Sequence, residues 1–511
     1  MVVVRRSVVP LFLLLTLAAL QAGSDPRSRG PAFHQRSAGD RPNVVFILTD
    51  DQDLSLHSLD FMPQTRALIA RQGMTFKQDF VPLSLCCPSR STILTGLYPH
   101  NHKIYNNRAP DGGFAKFESL GHEETTIATA LHAAGYRTAL FGKYLNNYPR
   151  HDDLTHVPPG WDEFASPAGG SPYTEFNYTL NANGALVSYA REPQDYLTDV
   201  IAAKSTDFIR RSAAAGEPFF LYLAPYAPHK PATPAPRHAA LFPGLKAPRT
   251  PSFDEADVRD KPEKIRNLPR LTAHDVEAID ALYRRRAQSL QAVDEAVAAV
   301  IHALEETGQL DNTYVFFTSD NGFHMGQHRL KSGKYTPYET DVHMPLLVRG
   351  PGVTAGGSTA AATSSVDFAP TLAELAGAAL PFPVDGRSFA PVLRGKTPAG
   401  WRQVILLEQF QFSPAANVPD SVLEPPDPQD GTVTAYPSHL GVRTPGLKYV
   451  EYGTGEREVY DLRRDPDELI NLAARVDAGW LARMSGLARA LGACSGDGCR
   501  QLEAQAPPAL P

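Results

Sequence analysis

Cysteine is scarce in this 511-residue chain: there are four, too few for disulfides to hold up a fold of this length. Basic residues are not in excess. Lysine and arginine number 49 against 55 acidic residues, a net charge of −6, so the composition carries no nucleic-acid footprint. Long apolar runs are also missing beyond the first 20 residues, and no internal repeat is visible. That leaves no stable membrane span. The apolar and charged fractions, 42% and 20%, are those of a soluble globular protein with ample length for a core.

What is present starts with Arg5 and Arg6, an uncharged run from Val8 to Leu20, and then Gln21-Ala22-Gly23-Ser24. This reads as a signal peptide over residues 1–22, followed by a polar leader over 23–40. A retained anchor is the alternative. Export implies the secretory pathway, with lysosome, extracellular space and periplasm all compatible. In that setting Cys494 and Cys499, enclosing Ser-Gly-Asp-Gly, suit a local disulfide that pins the tail. Cys86 and Cys87 are left without partners, which is unusual for thiols in an exported protein. Asn177-Tyr178-Thr179 is an N-glycan acceptor if the host is eukaryotic.

Four apolar segments predict buried strands that end in polar residues. Asn43–Leu48 runs into Thr49-Asp50-Asp51, and Arg137–Phe141 into Gly142-Lys143. Pro218–Leu223 leads to the Pro-flanked His229, and Tyr314–Ser319 to Asp320-Asn321-Gly322. A fifth strand is expected at Pro345–Val348. Helices are predicted over Met62–Gly73, from Ser91 onward, over Glu124–Gly135, Thr272–Thr307 and Asp367–Ala376. Alternation of strand and helix with ligand-type residues at strand ends is the pattern of an α/β sheet that binds at its carboxyl edge. After about Gly395, strand-like pieces at Val404–Leu407, Leu440–Arg443 and Lys448–Tyr452, interrupted by a Pro-rich loop from Ser413 to Gln429, predict a smaller antiparallel subdomain. The expected division is a catalytic domain over 41–395 and a C-terminal α+β subdomain over 396–511.

The strand ends are chemically complementary. Asp50, Asp51 and Asp320 bring carboxylates and Asn321 an amide oxygen, a hard-donor set suited to Ca²⁺ or Mg²⁺. Arg90, Lys143, His229 and Lys334 bring charge and donors for a tetrahedral oxyanion. His100, Asn101, His102, Asn106 and Asn107 form a polar cluster expected to face a substrate. Arg286 and Asp294, on the long helix, are further residues that could touch the site.

Cys86-Cys87-Pro88-Ser89-Arg90, running on to Leu94-Thr95-Gly96, resembles the signature of the sulfatase family. The likeness extends from Arg41 to about Cys499. It is closest to the N-acetylglucosamine-6-sulfatase and heparan-sulfatase branch at Leu48–Asp53, Tyr98-Pro99-His100-Asn101-His102, Gly142-Lys143-Tyr144-Leu145-Asn146 and Thr318–Gly322. The resemblance implies an alkaline-phosphatase-like fold with a mixed, mostly parallel sheet flanked by helices. It also implies sulfate-ester hydrolysis through a formylglycine made from Cys86 by a formylglycine-generating enzyme. Asp50, Asp51, Asp320, Asn321 and modified Cys86 would bind calcium, with magnesium second. Arg90, Lys143, His229 and Lys334 would meet the sulfate or the formylglycine. Lys334 is preferred to Lys331 because Gly333-Lys334 and Tyr338-Glu339 repeat the family's spacing. Many arylsulfatases carry histidine where this chain has Leu145. A chain with Leu145 must lose that contact or supply it from elsewhere, with Asn146 and His324 as candidates, and this favours the sugar-sulfatase branch. The alternatives are an arylsulfatase of broad specificity, a phosphoester hydrolase of the same superfamily, and a binding protein that has lost its chemistry.

Overall fold

In the computed structural model, residues 41–411 and 436–510 are described. The signal-peptide segment, the leader and the Pro-rich loop expected at Ser413–Gln429 lie outside them. The central strand β1 (Asn43–Thr49) is buried along its whole length. Its side chains alternate between two faces, and each face has its own core. Val44, Phe46 and Leu48 pack into one with Ile93, Leu94, Phe368 and Leu372. Val45 and Ile47 pack into the other with Ile201, Phe208, Val293 and Val297. Burial on both sides is what a continuously apolar, β-branched strand predicts.

Around β1 the sheet takes up β2 (Met74–Phe80), β3 (Arg137–Gly142), β4 (Glu163–Gly170), β5 (Tyr178–Ala182), β6 (Ala185–Tyr189), β7 (Phe219–Ala224), β8 (Thr313–Ser319) and β9 (His343–Arg349). The spatial order is β2-β9-β8-β1-β7-β3-β4-β5-β6, extended at the β2 edge by short pieces at Gly357–Thr359 and Thr363–Ser364. Strands β8, β1, β7, β3 and β4 run parallel. β9 is antiparallel to both of its neighbours, and β4-β5-β6 is an antiparallel meander. The parallel strands therefore deliver Asp50, Lys143, His229 and Asp320 to one edge, at or just beyond their C-terminal ends.

Three helices matter for the site. α1 (Cys86–Thr95) starts five residues earlier than the expected Ser91, so Cys86 is its first residue. Pro88 is no obstacle there, because the first N–H groups of a helix have no intrahelical acceptor. α2 (Leu197–Ala215) and α3 (Ala273–Glu306) cover one face of the sheet. Thr272 caps α3 in a reciprocal box with Asp275, close to the limits expected from the sequence.

The C-terminal antiparallel sheet is formed by β10 (Ile405–Gln409), β11 (His439–Thr444), β12 (Leu447–Tyr452) and β13 (Arg457–Tyr460). Helix α4 (Ala478–Leu491) covers it, seating Trp480 and Met484 against Val442 and Tyr449. Buried charges bind this sheet to the body: Lys448 Nζ donates to the Pro337 carbonyl at 2.7 Å and pairs with Glu339 at 2.9 Å. Cys494 and Cys499 form a disulfide. Among the described residues, no helix is long and apolar enough to cross a membrane.

Candidate active site

Cys86 is fully buried at the head of α1. Its Sγ lies 3.2 Å from Asp50 Oδ1, 3.7 Å from Asp51 Oδ1 and 2.7 Å from Lys334 Nζ. Leu85, the residue at the helix N-cap, offers no side-chain acceptor. Asn107 supplies one from outside: its Oδ1 accepts the Cys87 N–H at 2.9 Å. The start of the helix is thus held by a distant loop. Cys87 points into the core, where burial raises its thiol to about 12.

Asp50 and Asp51 follow β1 directly. Lys143 Nζ donates to Asp50 Oδ2 at 2.6 Å, and Lys334 Nζ to Asp51 Oδ1 at 2.6 Å. Asn321 Nδ2 reaches the same Asp51 oxygen at 2.6 Å. Arg90 Nε donates to Asp320 Oδ2 at 2.7 Å, and its Nη1 to the Lys143 carbonyl at 2.9 Å. Asp320 Oδ1 accepts the N–H groups of Asp51 at 3.0 Å and of Asn321 at 2.8 Å. His229 Nδ1 sits 2.7 Å from the Lys230 carbonyl, which assigns its hydrogen to that nitrogen and leaves Nε2 facing Asp51 Oδ2 at 3.5 Å.

The charges are interdependent. Burial works to raise the Asp50 carboxyl, but Lys143, then His229, Arg90 and Lys334, hold it below the usual carboxylate range. Asp51 is lowered against burial by Lys334 and His229. Asp320 goes the other way, raised by burial and by the Asp50 charge. Burial, together with Asp320 and Asp50, pushes the Cys86 thiol far up, so an unmodified cysteine stays protonated here. A neutral buried thiol is a poor nucleophile.

The donor set fits a hard divalent cation. Asp50, Asp51, Cys86 and His229 place one ligand-type atom each within 4.8 Å of one another. Asp51 Oδ2 and Asn321 Oδ1 are buried acceptors with no hydrogen-bond partner among the described residues, an arrangement that is costly unless something positive is bound. Nη2 of Arg90 is a buried donor without a hydrogen-bond partner.

Other residues expected at the site have different surroundings. His100 pairs with Glu408, Asn101 Nδ2 donates to Asp385, and His102 Nε2 lies 3.0 Å from Thr92 Oγ1. These three make protein contacts within the fold. Asn106 Oδ1 accepts the Asn107 N–H, and the Asn146 carbonyl accepts the Phe114 N–H. Leu145 packs in the core. His324 Nδ1 meets Asp341 at 2.9 Å, and its ring lies against Gly333, next to Lys334. Lys331 pairs with Asp275, away from Cys86. Asp294 accepts the N–H groups of Gln64 and Thr65. Two residues not anticipated are Tyr173 and Tyr226, whose rings flank Lys143 Nζ at 5.0 and 5.7 Å. Neither belongs to a motif, and Tyr173 arrives from the β4–β5 connection.

A mixed sheet that gathers carboxylates, an amide, two lysines, an arginine and a histidine round a buried helix N-terminus defines a hydrolase of anionic esters. The sulfatase family model matches residues 42–378, and the chain belongs to the sulfatase family. It is a sulfuric ester hydrolase. It is 38% identical over 482 residues to human N-acetylglucosamine-6-sulfatase, spanning 90% of this chain and 86% of that one. It is 35% identical to an arylsulfatase of Volvox carteri, over 97% and 79% of the two chains. Its fold is alkaline-phosphatase-like. A protein solved in complex with its substrate D-glucosamine-2-N,6-O-disulfate superposes with a TM-score of 0.70 at 24% identity, over 91% of this chain and 99% of the other. The phosphonate monoester hydrolase of Agrobacterium radiobacter shares the fold at a TM-score of 0.63 and 24% identity, over 88% and 95%.

Proposed function

We propose that this sulfatase removes 6-O-sulfate from N-acetylglucosamine or related glycosaminoglycan units, with Cys86 matured to formylglycine and a divalent cation bound beside it. The observation that carries the catalytic part is the position of Cys86, at a helix N-terminus between two carboxylates and Lys334. Similarity to the named N-acetylglucosamine-6-sulfatase, with Leu145 in place of the arylsulfatase histidine, carries the substrate part.

Once matured, residue 86 would offer two hydroxyls of a hydrated aldehyde, one as the nucleophile towards sulfur and one whose deprotonation would release sulfate as the aldehyde re-forms, splitting one difficult step into two. A cation held by Asp50, Asp51, Asp320, Asn321 and residue 86 supplies charge to the transferred group, calcium being the first choice and magnesium the second. Lys143 and Lys334 keep Asp50 and Asp51 ionised, and Lys334, beside residue 86, also faces the transferred sulfuryl group. Nη2 of Arg90, which has no hydrogen-bond partner among the described residues, and the α1 N-terminus stabilise the sulfuryl oxygens. His229 offers Nε2 as the proton donor to the departing oxygen when the ring is protonated, with Nδ1 fixed by the Lys230 carbonyl. Asn106, Asn107, Asn146 and His324 are the groups we assign towards the sugar. Exposed Asn177 is the proposed glycan site in a eukaryotic host, and the secretory route brings the chain to a formylglycine-generating enzyme.

Sulfate release from N-acetylglucosamine 6-sulfate, from sulfated disaccharides, and from a matched aryl sulfate and aryl phosphate tests this reading. The 6-sulfated sugars should turn over fastest. Preference for the aryl phosphate would overturn the sulfatase assignment for this site. Preference for the aryl sulfate would leave an arylsulfatase.

A further inference from the structure

Arg286 lies near the middle of α3 and is buried. Its Nη2 donates to the Asp51 carbonyl oxygen at 2.6 Å and to Asp53 Oδ2 at 3.0 Å. Nη1 donates to the carbonyl oxygen of Pro228, the residue before His229, at 3.2 Å. The guanidinium carbon stands 4.6 Å from the centre of the Phe323 ring, three residues past Asp320. One side chain therefore touches the loops that follow β1, β7 and β8. These loops carry Asp51, His229 and Asn321.

Asp51 needs such support. Its φ of 64° lies in the left-handed region, which a residue with a Cβ keeps only when its surroundings hold it. Asp320 takes the Asp51 N–H, and Arg286 takes the carbonyl, so the peptide is gripped on both sides of the Cα. A planar guanidinium with donors pointing in several directions can make these contacts together. An ammonium on a flexible stem cannot reproduce the fork.

We propose that Arg286 is a positioning residue for sulfate-ester hydrolysis. It sets the Asp51 carboxylate and the His229 imidazole in one register across the cation and sulfate site. The proposal rests on the sulfatase reading of that site. A purely structural role is the competing explanation, and Arg402 provides the comparison: it is equally buried but bonds Asp367 and Glu503, among residues that carry none of the site groups.

The test is calorimetric titration of Ca²⁺, and then Mg²⁺, into metal-free wild type and the Arg286→Met, Arg286→Lys and Arg402→Met variants, alongside kcat and its pH profile. Loss of a residue that orients a metal ligand costs about 10–100-fold in cation affinity or activity. R286M should bind the cation that much more weakly and shift the limb of the kcat profile that reports the leaving-group acid. R402M should lose thermal stability while keeping wild-type cation affinity. If R286M does not fold, R286K decides: it keeps the charge without the fork and should still bind about tenfold more weakly. Wild-type cation affinity and an unchanged pH profile in R286K or R286M would overturn the proposal, as would a wild type that binds neither cation. Absence of an aldehyde at position 86 in the wild type would defeat the catalytic reading, while the titration would still report on Arg286.

Discussion

Lys334→Met removes the charge that bridges residue 86 and Asp51 while keeping most of the apolar stem of the side chain. Nζ is 2.7 Å from Cys86 Sγ, so a sulfuryl group bonded to that position would lie about 4 Å away. Two unit charges at that separation interact by about 4 kcal/mol at an effective dielectric of about 20. The sulfate ester is already anionic before reaction, and only the part that strengthens in the transition state accelerates the chemistry. Taking between half and all of the interaction gives about 2–4 kcal/mol, or a loss of roughly 30- to 1,000-fold in kcat/KM. This agrees with the cost of removing one donor from an oxyanion site. The variant must first be checked by mass spectrometry for normal conversion of residue 86. Sulfate release is then followed by ion chromatography. Its metal-free form should also melt lower than wild type, because Asp51 Oδ1 loses the Lys334 ammonium and is left with weaker, uncharged donors such as the Asn321 amide. A fully converted K334M enzyme within about threefold of wild-type kcat/KM would refute the role given to Lys334.

Asn107→Ala removes the acceptor for the Cys87 N–H and should lower stability by about 1–3 kcal/mol in a denaturant titration, with a fall in kcat as the start of α1 loosens. Arg402→Met breaks a buried contact with Asp367 and Glu503. It should cost about 3–5 kcal/mol in the same titration, with kcat per folded molecule unchanged. Burial raises Asp79 from its ordinary 3.8 to about 8 and Glu175 from 4.5 to about 8. Between those limits the folded chain holds protons that the unfolded chain releases. Each group's contribution is therefore complete below its ordinary value and is lost as pH rises to about 8, by at most about 1.4 kcal/mol per pH unit. Melting temperatures from about pH 4.5 to about pH 8 should fall less steeply in an Asp79→Asn, Glu175→Gln double variant than in wild type; equal slopes would contradict the sign.

The residues legible in the sequence are those where local and tertiary signals coincide. β1, β7 and β8 are continuously apolar and end in Asp50, the His229 loop and Asp320, so each strand and its cargo can be read together. Thr272 and Gly308 bracket the long helix in the same way. Other elements carry weak local signals. β2 has Lys77 in its middle and β4 contains Pro167, Gly169 and Gly170. The start of α1 is hidden because Leu85 does not cap it and Asn107 does, from 20 residues away. Arg286, on the long helix, is legible as a residue that could touch the site, but the contacts of Tyr173 and Tyr226 with it depend on packing between distant segments. No spacing rule reports them. His100 and His102 show the reverse error, since a dense polar cluster suggests a face towards substrate although its side chains bond to Glu408 and Thr92.

The central claim is that residue 86 works as an aldehyde and not as a thiol. Peptide mass spectrometry of the native protein, paired with sulfate release from N-acetylglucosamine 6-sulfate by wild type and Cys86→Ala, tests it most directly. The expected results are an aldehyde at position 86, turnover by the wild type, and none above background in C86A. A wild type that turns over substrate with an intact Cys86 thiol, or a C86A protein that still releases sulfate, would contradict it.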